Sequence, residues 1–572
     1  MNPRHWGTRH GGTAVFVFVA LLVCGYYRWE VRAAGHEFDW SGQKPGYYNF
    51  LARAFVSGHT YLEIEPRKEL LAMANPWSPT VPDELKLFDA VLYNRRYYIY
   101  HGPGPAILLF APWRFVTKRD LPENFALFLM CFGGWLFSAL AMRRLIRLAG
   151  VSTGPVLELL LLLALGFCQG VPFLLNRVWV YEIAIGGGFF FVSGGLYFLA
   201  RAWESGVRRD LALAGLFLGA AISCRPHLGL LGGLVLVQLL LRLGRRAIPF
   251  AIPFAFAGLL VCGYNFARFE DPFEFGTNYL LGGAYQSAVR PRLENVFPGL
   301  YYLLGCEPGL SKVFPWVRSI ARIAPGGVPR HYTLEPLVGG LWMAPFAIFL
   351  PLVAITGRAR RILVIILAHV AGILLFLAST GWSVPRYQVD FLPLAVLVSC
   401  VGVAAALAGM PSFFRRTLTA LLATTVVFGT AVNLALGVAG PIDEMLTEKP
   451  ARYARIATWF SPVEEYRPSL NPPFHATFQI RKRPARQILL LGGVPSRPYQ
   501  LVLEPPGLLV SSFGGRDQTV PVQIQDGAPT LCDVSFEPAS GELQVRLGGE
   551  FALRHRIGTM VSIPPMVFPP RH

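Results

Sequence analysis

The sequence predicts an all-α polytopic membrane protein that carries a small β-rich domain at its C-terminal end. Of its 572 residues, 53% are hydrophobic and only 15% are charged, and the mean hydropathy is +0.44. A soluble globular protein carries about 25% charged residues. Apolar runs of about 20 residues, each long enough to cross a bilayer, recur between short clusters of arginine. From about residue 440 the runs become short and alternating, which indicates strands.

The apolar runs predict about eleven spans, and the arginine clusters between them set the direction of each span. The interval from Arg143 to Arg201 holds one outward and one inward crossing, and the later intervals follow the same rule. Every cluster then lies on one side, which the positive-inside rule identifies as the cytoplasm. We expect a multi-pass protein of the inner (cytoplasmic) membrane, with a cytoplasmic N-terminus and an outer C-terminal domain. The predicted spans cover about residues 13–28, 123–142, 154–171, 183–200, 211–241 (an out-and-back pair broken at Arg225-Pro226), 248–264, 340–357, 362–380, 391–409 and 417–437.

Two outer loops, 29–122 and 265–339, are too long to be simple connections. In the first loop, helical periodicity over 47–58 and a Gly-Pro-Gly-Pro start at 102–105 predict two helices too short to span the bilayer. We expect both helices to lie in the outer interface beside a belt of aromatic side chains. The side chains assigned to this belt are Tyr97, Tyr98, Tyr100 and Trp113.

The change in composition divides the chain into two predicted domains. Residues 1–439 form the transmembrane module, and residues 440–572 form a β-rich extracytoplasmic domain. Runs such as QILLL, YQLVLE and ELQVRL in the second domain alternate and are separated by Gly/Pro turns. This pattern is typical of antiparallel strands.

The net charge of +18 does not indicate nucleic-acid binding, because of where the charges lie. The arginines flank spans, where they suit anionic lipid head groups, and no soluble basic face with interleaved aromatics is found. The sequence therefore predicts membrane lipids, and no nucleic acid, as partners. Cysteine and histidine show no zinc-type spacing, so no metal-ligating residues are assigned.

Charged residues at the outer ends of spans are the candidates for function, because a charge there is costly unless it has a partner. Arg225 lies between two half-spans, so a phosphate or carboxylate partner is expected. Arg386, followed by Tyr387 on a short outer turn, is a candidate phosphate clamp, with a basic rim as the alternative. Glu182 begins a span shortly after Arg177; this pair indicates an acceptor or metal role, or a carboxylate that complements the helix dipole.

Two stretches of the first outer loop, YYNFLARAFVSGHTYLEIEP and YNRRYYIYHGPGPAILLFAPW, carry a family resemblance. They resemble the first outer loop of type C glycosyltransferases, and most of all the branch of protein O-mannosyltransferases and lipid A aminoarabinose transferases. Leu51-Ala52-Arg53 resembles the "IAR-like" helix of that branch, and Tyr97–Pro105 resembles its Tyr-Phe-x-Lys-Pro-Pro-Leu segment. GYNFARFEDPFEFGTNY and WSVPRYQVDFLP resemble later outer segments, so the resemblance covers about residues 10–410.

The resemblance implies a GT-C-like fold and an inverting sugar transfer on the outer face of the membrane. The implied donor is a polyprenyl-phosphate-linked sugar, and the acceptor is a glycan, a lipid or a protein. This chemistry needs one carboxylate as the base and cations for the departing phosphate. It needs no nucleotide site, and no Gly-rich strand–turn–helix motif is found. A divalent metal cofactor is left open.

The chain departs from the family where the base is expected. Lys44-Pro45 stands where the family has an acidic pair, so the predicted base is Asp89 or Asp39. Each of these two acids also suits a turn, as a cap or a solvated turn residue. The lysine of the Lys-Pro-Pro-Leu segment is missing, and His101 lies near its place. The candidate catalytic residues are Asp89, Asp39 and Glu182, and the candidate phosphate- or substrate-binding residues are Arg225, Arg386, Tyr387, Lys44, Arg177 and His101.

Two other functions fit the same features. One is a non-catalytic protein that binds or transports a polyprenyl lipid, for which the missing acidic pair is the argument. Transporters usually contain internal repeats with broken helices in matching positions, and none is found here. The other is a polysaccharide polymerase or ligase, although the main outer loop of such proteins comes late in the chain.

Overall fold

The computed structural model divides the chain into two compact units. The first comprises Met1–Pro308 and Ile323–Val438, and the second comprises Gly309–Arg322 and Ala439–His572. The segment Gly309–Arg322, from the second outer loop, therefore belongs with the C-terminal part of the chain. The structure describes residues 4–33, 37–41, 45–78, 81–282, 290–310, 314–320, 324–329, 332–440, 445, 449–460, 474–480, 487–492, 499–504, 507–512, 518–522, 524, 529–537, 542–556 and 566–567.

Helices make up most of the first unit. The α-helices are α1 (Arg4–Glu30), α2 (Tyr47–Val56), α3 (Lys68–Leu71), α4 (Ala111–Thr117), α5 (Glu123–Leu148), α6 (Pro155–Phe167), α7 (Val171–Asn176), α8 (Val180–Ser205), α9 (Arg208–Ile222), α10 (Gly229–Leu243), α11 (Ile248–Phe269), α12 (Val296–Leu300), α13 (Gly340–Met343), α14 (Arg360–Ser379), α15 (Leu392–Gly409), α16 (Ser412–Ala439) and, in the second unit, α17 (Pro450–Phe460). The 3-10 helices are Asp83–Leu85, Pro226–Leu228, Gly244–Ala247, Thr277–Tyr279, Leu293–Asn295, Pro345–Ile355, Gly357–Ala359 and Pro385–Asp390, and the π-helices are Ala106–Phe110 and Tyr301–Gly305.

Every predicted span coincides with helical structure, and the protein is an all-α polytopic membrane protein as the sequence predicts. Among the described residues, seven helical segments are long and apolar enough to cross a membrane. One of them, Pro226–Phe269, contains both α10 and α11. The shorter helices α6 and α9 and the 3-10 helix Pro345–Ile355 occupy the remaining predicted spans. The seven segments are Gly11–Glu30, Glu123–Leu148, Val180–Ser205, Pro226–Phe269, Gly357–Ser379, Leu392–Gly409 and Ser412–Ala439.

Helix α8 packs closely against α5 and α9 because its contact face contains glycine. A Cβ added at Gly186 would lie 2.7 Å from Leu127 Cδ1, and one at Gly195 would lie 2.6 Å from the Leu218 side chain. Small residues allow such close approach of helices in a membrane. This packing fixes the N-terminal end of α8, where Glu182 lies.

Polar contacts within the first outer loop hold α2 against the segment that leads into α5. The Asn49 side chain donates to the Leu121 carbonyl oxygen at 3.0 Å and accepts from the Leu121 backbone N–H at 3.1 Å. Arg53, the arginine of the segment that resembles the family helix, pairs with Asp120. The two predicted short helices are present as α2 and as the π-helix Ala106–Phe110 continued by α4.

The aromatic belt predicted for Tyr97 and Tyr98 is wrong. A hairpin of β1 (Ala90–Tyr93) and β2 (Arg96–Ile99) buries both rings, which are 2% and 5% exposed. Two-residue hairpin turns of type I′ require positive φ at both central residues. Asn94 and Arg95 have φ of 46° and 60°, so they form the turn, and the tyrosines follow it as strand residues.

The remaining short strands of the first unit are β5 (Thr333–Leu334) and β6 (Trp382–Ser383), which pair in parallel. In the second unit, β3 (Gly309–Leu310) pairs with β4 (Val317–Arg318). The other strands of the second unit are β7 (Phe474–Ile480), β8 (Gln487–Gly492), β9 (Tyr499–Glu504), β10 (Gly507–Ser512), β11 (Gln518–Pro521), β12 (Thr530–Glu537), β13 (Glu542–Leu547), β14 (Glu550–Arg556) and β15 (Met566–Val567).

These nine strands form two antiparallel sheets, ordered β11-β10-β9-β8-β15 and β14-β13-β12-β7. Both sheets contribute to a single apolar core. Leu501 and Leu503 come from the first sheet, and Val534 and Val545 from the second. The core explains the alternation in the sequence, since every second residue of a strand points to the same face.

Candidate active site

Arg386 is held by a carboxylate that lies 51 residues earlier in the chain. Its Nη1 lies 2.8 Å from both oxygens of Glu335. Glu335 directly follows β5, and its backbone N–H donates to the Ser383 carbonyl oxygen at 3.0 Å. The pairing of β5 with β6 therefore brings Glu335 beside the 3-10 helix that carries Arg386. Sequence reasoning missed Glu335.

Arg177 extends this contact into a chain of four alternating charges. Its Nη2 lies 3.3 Å from Glu335 Oε2 and 3.0 Å from Glu182 Oε1. All four side chains are buried, with Arg177 and Glu182 only 1% exposed. Buried charges persist when they are paired in this way. The positive charges hold the pKa of Glu335 below its usual range although burial opposes this, and Arg386 contributes more than Arg177.

Glu182 makes two structural contacts, one with each carboxylate oxygen. One oxygen accepts from Arg177, and the other accepts the Trp179 backbone N–H at 3.2 Å, which caps the start of α8. A carboxylate in the first turn also suits the helix dipole. The role of Glu182 as an auxiliary acid stays a prediction.

Arg225 forms a second ion pair next to the first. Its Nη2 lies 3.0 Å from Asp390 Oδ2, which also lies 3.0 Å from His227 Nε2. The Tyr387 ring lies between the two ion pairs, with its centroid 5.0 Å from the Arg225 guanidinium carbon and 5.9 Å from that of Arg386. The structure thus brings together four of the predicted binding residues, Arg177, Arg225, Arg386 and Tyr387. Asp390 was not among the predicted site residues.

Both guanidinium groups keep nitrogens for a ligand. In the part of the chain that the structure describes, Nε and Nη2 of Arg386 and Nη1 of Arg225 have no hydrogen-bond partner. A planar guanidinium that is anchored at one nitrogen is suited to bind phosphate oxygens with the others.

Asp89 directly precedes Ala90, which pairs with Ile99, so Asp89 lies at the end of the hairpin where the chain continues to His101, beside Tyr181 and Arg386. Its carboxylate is unengaged. No hydrogen bond or ion pair to that carboxylate is present among the described residues, so the cap alternative is not observed. Burial raises its pKa to about 7, against the lowering effect of Arg386 and with a further rise from Glu335. The left-handed φ of 59° at Asp89 is a conformation that aspartate and asparagine tolerate better than most residues. A half-buried carboxylate that titrates near neutrality can act as a general base.

The other predicted base, Asp39, makes local contacts. Its Oδ1 accepts from the Ser41 backbone N–H at 3.0 Å and from the Ser41 hydroxyl. This is the turn arrangement that the sequence offered as the alternative to catalysis. Lys44 lies outside the described residues.

His101 lies where the two ion pairs meet the first outer loop. Its ring centroid is 5.1 Å from that of Tyr181, whose ring also stacks under Arg386 at 4.5 Å. Burial, together with the charges of Arg225 and Arg386, lowers the pKa of His101 to about 3. The buried Nε2 has no partner among the described residues. His101 is therefore a neutral imidazole that can hydrogen-bond a ligand hydroxyl.

The Gly-Pro-Gly-Pro segment sets the position of His101. The Gly104 backbone N–H donates to the Ser223 carbonyl oxygen at 2.9 Å. A Cβ at Gly102 would lie 2.0 Å from that same oxygen. Only glycine allows this approach, which joins the loop to the chain just before Arg225.

Gly102→Ala is expected to lower the free energy of unfolding by about 1–3 kcal/mol, as forced overlap in a packed site does. The thermal unfolding midpoint of the purified protein measures the change. Gly233→Ala is the matched control, because no described atom outside its own helix lies within 4 Å of a Cβ there. Equal midpoints for the two variants would contradict this account of the segment.

Among the described residues, no three His, Cys, Asp or Glu side chains are grouped so that they could hold a metal ion. A divalent metal cofactor stays a prediction.

Three solved structures resemble the chain in fold. Apo oligosaccharyltransferase from Archaeoglobus fulgidus is 12% identical, with a TM-score of 0.43 over 76% of this chain and 57% of that chain. ArnT from Cupriavidus metallidurans bound to undecaprenyl phosphate is 16% identical, with a TM-score of 0.42 over 80% and 81%. AglB from A. fulgidus, in complex with an inhibitory peptide and a dolichol-phosphate, is 13% identical, with a TM-score of 0.41 over 76% and 57%.

These proteins are type C glycosyltransferases, the group that the sequence resembles. The chain spans 57% of the length of the oligosaccharyltransferase chains. Overlap at these TM-scores carries no argument about activity, which must come from the side chains of the site. No protein-family model matches the chain, and no curated protein matches it.

Proposed function

We propose that the protein transfers a sugar from a polyprenyl-phosphate donor to a hydroxyl acceptor on the outer face of the inner membrane. The observation that carries the proposal is the unengaged Asp89 carboxylate, at the end of the hairpin that leads to His101 and close enough to Arg386 for the arginine to lower its pKa. The acceptor is a glycan, a lipid or a protein. The N-terminus then lies in the cytoplasm and the C-terminal domain outside.

Each step of the transfer has a residue suited to it. The acceptor oxygen forms a bond to the anomeric carbon of the sugar, and the bond from that carbon to the phosphate oxygen breaks. The acceptor proton passes to Asp89, which acts as general base. The leaving group is polyprenyl phosphate, which keeps the electron pair of the broken bond on its phosphate oxygen, and the open nitrogens of Arg386 and Arg225 stabilise that charge.

A protein that only binds or transports a polyprenyl lipid would use the arginines but not Asp89. An ionised carboxylate repels a phosphate, whereas a carboxylate with a pKa of about 7 is suited to take a proton from an acceptor. The position of Asp89 therefore favours an enzyme over a binding protein.

Deletion of the gene in the native host tests the function. Mass spectrometry of the lipid-linked sugars is expected to show that one polyprenyl-phosphate sugar accumulates. Mass spectrometry of the envelope glycans is expected to show that the same sugar is lost from them. The wild-type gene should restore both, and this comparison identifies donor and acceptor. Unchanged lipid-linked sugars and unchanged glycans in the deletion strain would contradict the proposal.

The transfer rate is expected to depend on pH through Asp89. The base must be deprotonated, so kcat/KM should rise with pH and level off above a midpoint near the Asp89 pKa of about 7. The measurement uses purified protein and the donor that accumulates in the deletion strain. A rate already at its plateau at pH 5 would contradict the assignment, because an unperturbed aspartate titrates near pH 4.

A further inference from the structure

Glu335 holds Arg386 in a way that leaves most of the guanidinium open. Both carboxylate oxygens contact Nη1 alone, each at 2.8 Å. A two-nitrogen contact would have used Nη2 or Nε as well, and these are the nitrogens that have no partner among the described residues. Glu335 therefore anchors Arg386 at Nη1 and leaves Nε and Nη2 for a ligand.

Backbone hydrogen bonds and one contact between hydroxyl groups fix the position of Glu335. The N–H groups of Thr333 and Glu335 donate to the carbonyl oxygens of Gly381 and Ser383, at 2.9 Å and 3.0 Å. The Tyr332 hydroxyl lies 2.7 Å from the Ser383 hydroxyl. These contacts tie the second outer loop to the segment that precedes Arg386.

Arg177 holds Glu335 from the other side. Its Nη2 lies 3.3 Å from Glu335 Oε2, and Glu182 in turn accepts from Arg177. A buried carboxylate with two cationic partners cannot turn away without leaving a buried charge unpaired, which is costly. The direction in which Glu335 points is thus determined from both sides.

We propose that Glu335 is a positioning residue: it anchors Arg386 by a single nitrogen and weakens the influence of the Arg386 charge on Asp89. This inference rests on the proposed function, in which Asp89 is the base and Arg386 binds phosphate. The second outer loop, through Glu335, would then compensate the charge of Arg386, although Arg386 and Asp89 lie on other segments of the chain.

The groups around Asp89 determine the sign of the expected effect. Burial raises the pKa of Asp89, Arg386 and Lys86 lower it, and Glu335 raises it. Tyr47 lies close enough for its own pKa to be raised by Asp89, after the larger effect of burial. Removing the negative charge of Glu335 takes away one raising influence and leaves Arg386 uncompensated, so the Asp89 pKa must fall.

Glu335→Gln tests the inference, because the amide oxygen can still accept from Arg386 while the charge is lost. The midpoint of the kcat/KM profile is expected to fall by about one pH unit. Glu335→Asp keeps the charge and should leave the midpoint in place, even if its plateau rate is lower. Glu294→Gln is the matched control, an exposed acid of the same loop in a surface pair with Arg292.

A second readout does not require activity. The carboxylic-acid infrared band that disappears in Asp89→Asn reports the protonation of Asp89. The pH at which half of this band is lost is expected to fall in Glu335→Gln, and to stay unchanged in Glu335→Asp and Glu294→Gln. Unchanged midpoints in Glu335→Gln, by rate and by infrared band, would overturn the inference. If instead Asp89→Asn is fully active, while Glu335→Gln still lowers the pH midpoint of the Asp89 infrared band, then Asp89 is not the base but the electrostatic role of Glu335 stands.

Discussion

Asp89→Asn is expected to lower kcat by about 10²- to 10⁴-fold, the usual contribution of a general base. The amide cannot take the acceptor proton, but it has nearly the shape of the carboxylate. Asparagine also tolerates the left-handed backbone conformation that Asp89 adopts, so the variant should fold. The measurement is the release of polyprenyl phosphate from the donor at saturating concentration.

Asp39→Asn is the matched control for that experiment. The amide of this variant keeps an oxygen that can accept from Ser41, so the turn should persist and kcat should stay within about twofold of the wild type. An inactive Asp39→Asn with an active Asp89→Asn would reverse the assignment and make Asp39 the base.

Arg386→Lys is expected to weaken the binding of undecaprenyl monophosphate by about 30-fold, which corresponds to about 2 kcal/mol. A lysine ammonium can replace the contact to Glu335 but cannot present a planar edge to the phosphate at the same time. The dissociation constant is measured for the purified protein in lipid nanodiscs.

Two controls separate lost binding from lost folding. Arg292→Lys changes an exposed arginine of a surface pair and should leave the dissociation constant within about twofold. The thermal unfolding midpoint of Arg386→Lys should stay close to that of the wild type, because Glu335 keeps a cationic partner. A wild-type affinity in Arg386→Lys would remove Arg386 from the phosphate site.

The fold could be predicted from the sequence because a bilayer permits few structures. Spanning segments must satisfy their backbone hydrogen bonds internally, so long apolar runs become helices. The β1–β2 hairpin could not be found in this way. Its turn residues Asn94 and Arg95 lack the glycine that signals a two-residue turn, and tyrosines in an outer loop also suit an interface.

The site could be predicted in part. Arg225 and Arg386 were found because charges beside spans are costly, and this reasoning also applies to Asp390, four residues after Arg386. Glu335 carries no local signal. Its partner lies 51 residues away, and the two meet through strands of only two residues each. Such short strands have no pattern that a sequence can reveal.

The most direct measurement of the central claim is an electron cryo-microscopy structure of the protein with undecaprenyl monophosphate in nanodiscs. We predict the phosphate group within hydrogen-bond distance, about 3 Å, of the open nitrogens of Arg386, with the Asp89 carboxylate facing the same space. A phosphate bound elsewhere, with Arg225 and Arg386 both out of its reach, would contradict the account.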